Sequence, residues 1–132
     1  VSEESNLQIL VVDDDDGVQK LVATLLNRSR MDAIRAMTAT EAAQILRQPP
    51  LPDLMLLDIM LPEISGIDFL KQMRSKTVFD DLPVIILSAL ADPKTIRAGL
   101  DAGADRYLTK PYLVNNLVKT IQEVLKAREE NP

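Results

Sequence analysis

Three stretches of this chain read as four large apolar residues in a row, and each stops at a polar one. They are Ile9-Leu10-Val11-Val12 before Asp13, Leu54-Met55-Leu56-Leu57 before Asp58, and Val84-Ile85-Ile86-Leu87 before Ser88. A strand with one face in solvent alternates polar and apolar residues. An unbroken apolar run is what a parallel strand covered on both faces requires. Two weaker strand candidates complete the set, Ala33 to Met37 and Arg106 to Thr109.

The segments between the runs have helical spacing. Val18, Leu21, Val22, Leu25 and Leu26 form one helix face. Thr38-Ala39-Thr40-Glu41 reads as a capping box opening a helix to about Arg47, which Pro49, Pro50 and Pro52 stop. After a loop from Pro62 to Gly66, Ile67, Leu70 and Met73 mark a helix reaching about Lys76. Asp92 followed by Pro93 is a helix start, and Gly103 a left-handed stop. Leu113, Leu117, Ile121, Val124 and Leu125 mark a last helix, with the polar tail fraying from about Arg128. Five β–α pairs predict an α/β fold, a five-stranded parallel sheet wound on both faces by five helices. The expected organisation is a polar tail over residues 1–6, one domain over 7–128, and a tail or linker start over 129–132.

Composition removes several chemistries. With 46% hydrophobic and 27% charged residues, the 132-residue chain can fill one globular core. It has no cysteine and no histidine, so thiol chemistry, imidazole acid–base chemistry and a phosphohistidine on this chain are excluded. Any metal must be held by oxygen, which points to a hard ion. A net charge of −5 argues against a nucleic-acid surface. No apolar run approaches the roughly 20 residues of a membrane span. The polar, acidic start is unlike a signal peptide, and Val1 in place of Met fits a segment of a longer chain. No DNA-binding or catalytic output segment is recognisable; the expected location is cytoplasmic.

In open parallel sheets, ligands bind beyond the carboxyl ends of the strands. Asp13 and Asp14 follow the first strand, Asp58 the third, Ser88 the fourth and Lys110 the fifth. Three carboxylates at one rim repel one another, and a divalent cation relieves this. Mg²⁺ suits a few carboxylates with waters and phosphate oxygens. A lysine and a hydroxyl beside them complete what phosphoryl transfer needs, with a carboxylate able to act as nucleophile. Each residue alone has a plainer reading: Asp13 to Asp16 as a solvated helix start, Ser88 as a turn residue, Lys110 as a loop lysine. Their joint placement at four strand ends is what favours a site.

These segments, ILVVDD from Ile9, PDLMLLDIMLP from Pro52, PVIILSA from Pro83 and GADRYLTKP from Gly103, resemble the receiver domain of bacterial two-component response regulators. The resemblance runs from about Leu7 to Arg128. It implies a flavodoxin-like sheet of order 2-1-3-4-5, and Asp58 as phospho-acceptor. Asp13, Asp14, Asp58 and the Met60 backbone carbonyl would hold Mg²⁺ (or Mn²⁺). Ser88 and Tyr107 would be the switch pair, Lys110 a phosphoryl contact, and Lys110–Pro111 a cis peptide. The donor would be a sensor histidine kinase or phosphotransfer protein. The chain would catalyse its own phosphorylation and dephosphorylation without being a turnover enzyme. The face made by the fourth helix, fifth strand and fifth helix would control an output domain or partner, or a phosphorylation-dependent dimer; no nucleic acid or membrane contact is implied.

Two positions depart from the family pattern. Ala39-Thr40 stands where a turn residue is common, with no effect expected on chemistry, and Arg106 stands where an acid is frequent, which puts any family dimer in doubt. Met60 and Leu90 should flank the phosphoryl group without a polar atom to orient water, which predicts slow self-dephosphorylation.

Two rivals remain. Asp14-Asp15-Asp16-Gly17-Val18 is similar to the first motif of haloacid-dehalogenase-like phosphatases, with Asp14 as nucleophile and Asp16 as general acid. That leaves Asp58 unexplained and lacks a final acidic strand end. A receiver-like module that only binds would be expected to lack one of the key residues.

Overall fold

The computed structural model describes residues 6–110 and 113–130. Their order is β1 (Leu7–Val12), α1 (Asp16–Asn27), β2 (Met31–Ala36), α2 (Ala39–Leu46), β3 (Leu54–Leu57), α3 (Gly66–Arg74), a 3₁₀ turn (Thr77–Phe79), β4 (Val84–Ser88), α4 (Pro93–Asp101), β5 (Arg106–Thr109) and α5 (Leu113–Glu130). All strand pairs are parallel and the sheet order is β2-β1-β3-β4-β5.

The unbroken apolar runs are explained by a sheet covered on both sides. Leu10, Val12, Met55, Leu57, Val84 and Ile86 face α2, α3 and the end of α4. Their chain neighbours Ile9, Val11, Leu54, Leu56, Ile85 and Leu87 face α1 and α5. Each large aliphatic side chain fully buried in this way contributes about 1.5–3 kcal/mol. Both faces of the sheet are covered by apolar side chains, so the polar residues of the central strands stand at their ends. The order reverses direction on either side of β1, and the crevice lies at the carboxyl ends of β1 and β3.

The helix starts follow their sequence signals. Thr38 accepts from Glu41 N at 3.1 Å, and Glu41 reaches back to Met37 N at 2.7 Å. Asp92 accepts from Thr95 N at 3.0 Å, with Pro93 in the first turn, and Gly103 takes φ +115°.

Several expectations need correction. β2 begins two residues before Ala33 and stops before Met37. Leu21 lies on the outer side of α1, 42% exposed, because the buried face is narrower than the spacing suggested. α3 ends at Arg74, before the 3₁₀ turn. α5 does not fray at Arg128, which binds Asp105 through two nitrogens at 2.8 and 3.1 Å. Among the described residues, no helix is long and apolar enough to cross a membrane.

Candidate functional site

Register brings the acids together. Val12 and Leu57 are partners across β1 and β3, so the residue after each leaves the sheet side by side. Asp58 N donates to Val12 O at 2.9 Å, and Asp13 N to Ala36 O at 3.1 Å, extending the ladder one step past the strands. Asp13 is 2% exposed and Asp58 4%, while Asp14 is exposed. One carboxylate oxygen from each of Asp13, Asp14 and Asp58 falls within 4.8 Å of the others.

Lys110 Nζ reaches over this cluster, 3.0 Å from Asp13 Oδ2 and 3.2 Å from Asp58 Oδ2. Burial raises the Asp58 pKa above the ordinary carboxylate value, and the Asp13 charge adds to this; Lys110 opposes both. For Lys110, burial works against the ammonium, but hydrogen bonds to the two carboxylates and their charges leave its pKa raised. Lys110 therefore sets one positive charge against the two buried acids it contacts, with Asp14 beside them. A buried carboxylate that is costly to ionise, beside two oxygen donors, is a donor set that fits a hard divalent cation with open positions.

The loop over residues 58–66 is tightly closed. Gly66 N and Leu61 N both donate to Ile59 O, at 2.7 and 3.1 Å, and Met60 N lies 3.4 Å from Asp58 Oδ1. A Cβ at Gly66 would overlap the Asp58 carbonyl, so only glycine lets the chain pass so close. Thr40, one of the departures from the family pattern, also has a partner here: Glu63 Oε1 accepts from Thr40 Oγ1 at 2.9 Å and Thr40 N at 3.3 Å. The other departure, Arg106, pairs with Glu123 at 3.3 Å on the exposed side of β5 and α5.

Ser88 is fully buried and its Oγ accepts from Leu90 N at 3.1 Å. Tyr107 lies half-buried, donating to Leu90 O at 2.6 Å. Burial pushes the Tyr107 phenol pKa up, while a hydrogen bond with Ser88 lowers it. Its ring lies over Gly99 of α4, where a Cβ would come within 3.3 Å of it. Ser88 of β4 and Tyr107 of β5 therefore both bond to Leu90, in the loop from β4 to α4, at one end of the rim. Met60 is 60% exposed and Leu90 half-buried. Pro111 and the expected cis bond lie outside the described residues; the cis peptide among those described is Pro49–Pro50.

Asp16, the general acid of the phosphatase reading, instead sits on the surface. It pairs with Arg35 at 2.6 Å and Lys20 at 3.0 Å, and hydrogen bonds to these two hold its pKa below the ordinary value. A general acid needs the opposite shift. The residue that sequence reasoning passed over is Gln19 on α1, fully buried beneath Asp13. A lone polar residue inside an apolar stripe, next to Val18 and Val22, was the available signal.

A sequence profile described as the response regulator receiver domain matches residues 9–122. The phosphate regulon transcriptional regulatory protein PhoB of Escherichia coli is 36% identical over 119 residues, covering 90% of this chain and 52% of that protein. The chain spans about half the length of the curated relatives it matches. A CheY-like response regulator receiver domain protein from Methanospirillum hungatei superposes with a TM-score of 0.86 at 27% identity, covering 97% of this chain and all of that one. The BeF3-activated N-terminal receiver domain of Klebsiella pneumoniae RstA gives 0.81 at 28% identity, covering 89% and 97%.

Proposed function

The chain belongs to the response regulator receiver domain family, and we propose that it is the phospho-acceptor of a two-component system in which Asp58 takes the phosphoryl group. The observation that carries this is the placement of Asp58: buried at a strand end, between a second buried carboxylate and a lysine that contacts both.

In this reading the donor is a phosphohistidine outside these residues, on a sensor kinase or phosphotransfer protein, since these 132 residues hold no histidine. An Asp58 oxygen attacks phosphorus, the P–O bond forms as the P–N bond breaks, and the imidazole leaves with the electron pair. Asp13, Asp14, Asp58 and the Met60 carbonyl would hold Mg²⁺, which supplies positive charge to the phosphoryl oxygens. Lys110 already contacts Asp58 and is placed to follow the charge onto the phosphoryl group. Ser88 exchanges its Leu90 N–H for a phosphoryl oxygen, and Tyr107 and α4 repack as a population shift between two states. That change would be read by an output domain or partner outside this segment, or by a second copy, in the cytoplasm. The RstA receiver is described as BeF3-activated; the same complex on Asp58 is what this reading expects here.

The test is acetyl phosphate with Mg²⁺ and site mapping by mass. The chain should gain one phosphoryl group on Asp58, and Asp58→Asn none. Phosphorylation of that variant at Asp14, or multiple turnover of a phosphate monoester, would return the phosphatase reading. A finer expectation concerns lifetime. Met60 and Leu90 offer attacking water no polar partner, so replacing both with acidic or amide residues should shorten the phosphoryl half-life by about 10-fold or more, the scale of general-base assistance. An unchanged decay would show that these positions do not control it.

A further inference from the structure

We infer that Gln19 is a positioning residue for the acid pair: its buried carboxamide clamps the carboxyl end of β1 to that of β2 and thereby sets where the Asp13 carboxylate stands. This rests on the metal-site reading above. Gln19 is 0% exposed, on the α1 face that packs under the sheet. Its Nε2 donates to Val11 O at 2.9 Å, Asp13 O at 3.0 Å and Ala36 O at 3.1 Å. Two N–H bonds thus serve three converging carbonyls, so one is shared.

The orientation is forced. Turning the amide over would aim its oxygen at three carbonyl oxygens. The cost of this arrangement is at the other atom, because Oε1 is buried with no donor among the described residues. A side chain placed only to fill the core has no reason to carry such an orphan. Its return is at Asp13. Asp13 N–H goes to Ala36 O, the carbonyl that Gln19 also holds, and Asp13 C=O goes to Gln19 itself. Both backbone groups of Asp13 are therefore fixed through one side chain. That leaves the carboxylate little freedom: Oδ1 accepts from Asp15 N at 2.9 Å, and Oδ2 meets Lys110. Partners that orient a ligating group without touching the ion commonly change affinity by about 10–100-fold when lost.

The experiment is Mg²⁺ titration by calorimetry on the whole chain, with thermal midpoints measured in chelator. Gln19→Met keeps the volume and loses the donors; Gln19→Asn keeps an amide but is one methylene too short to reach all three carbonyls. Leu46→Ala, at the far end of α2, supplies a destabilised core with the site untouched. Gln19→Met should weaken Mg²⁺ by about 10-fold or more, with Gln19→Asn between it and the parent, while Leu46→Ala stays within about twofold despite an equal fall in midpoint. If Gln19→Met does not fold, Gln19→Asn decides alone. Mg²⁺ affinity that tracks stability across all three variants, or is unchanged in the folded Gln19 variants, overturns the inference. Affinity that survives Asp14→Ala overturns the metal-site reading and this inference with it.

Discussion

The two ends of the sheet use the same ingredients and balance them oppositely. At the carboxyl end, Asp13, Asp14 and Asp58 come together, and Lys110 contacts Asp13 and Asp58. At the amino end, Asp105 sits between two guanidiniums, with Arg128 Nε and Nη2 at 2.8 and 3.1 Å and Arg74 Nη2 at 3.6 Å. Asp105 also accepts from Val84 N at 2.9 Å. The spare guanidinium hydrogens go to carbonyls: Arg74 to Phe79 O and Gly103 O, Arg128 to Asp80 O. Each of these three charged side chains has partners within the chain, which is the arrangement of a structural cluster. At the carboxyl end three carboxylates stand against the one lysine that contacts two of them, a group that could hold a cation. Charged clusters are common in folded chains; the sign and size of the imbalance is what makes one of these two the candidate site.

The comparison predicts that damage at one end will not be felt at the other. Arg74→Ala strips Gly103 O of both its guanidinium bonds in a largely buried place and takes one of two donors from Phe79 O, which keeps Leu82 N. It should cost about 2–3 kcal/mol in chemical denaturation, the penalty for buried polar groups left unpaired. Mg²⁺ affinity and the phosphorylation rate with acetyl phosphate should hardly change. A variant that loses stability and Mg²⁺ affinity together would show the two ends to be one network and the comparison false.

How much of this was legible beforehand follows the same division. The carboxyl end could be read because Asp13, Asp58 and Ser88 each directly follow an apolar run, and the parallel sheet turns that adjacency into proximity. Asp58 after Leu54 to Leu57 is the clearest case. The amino end could not be read. Arg74, Asp105 and Arg128 carry no strand-end signal and meet only through packing of α3, β5 and α5, which is why Arg128 looked like a fraying tail. Gln19 escaped for a related reason: its three acceptors are backbone carbonyls, which leave no mark in the sequence. Thr40 looked like a turn substitution until Glu63, 23 residues away, proved to be its partner.

A smaller effect tests the imbalance directly. Because burial raises the Asp58 pKa above its ordinary value despite Lys110, the ionised carboxylate costs the folded state free energy when no divalent cation is bound. The sign follows from linkage. Below the unfolded pKa, near 3.8, Asp58 is protonated in both states and costs nothing. As pH rises through the higher folded value, the unfolded chain ionises more readily than the folded one, and stability is lost. Asp58→Asn keeps the shape and removes the charge, while Lys110 retains Asp13. In chelator near neutral pH the variant should therefore be more stable than the parent, with the gap closing as pH falls toward the ordinary carboxylate range. Saturating Mg²⁺ should reverse the order, because the parent gains stability by mass action and the variant, short of one ligand, gains much less. Paired denaturation curves with and without Mg²⁺ decide it. A variant less stable than the parent in chelator would mean that Lys110 already balances this rim, and the contrast with the amino end would disappear.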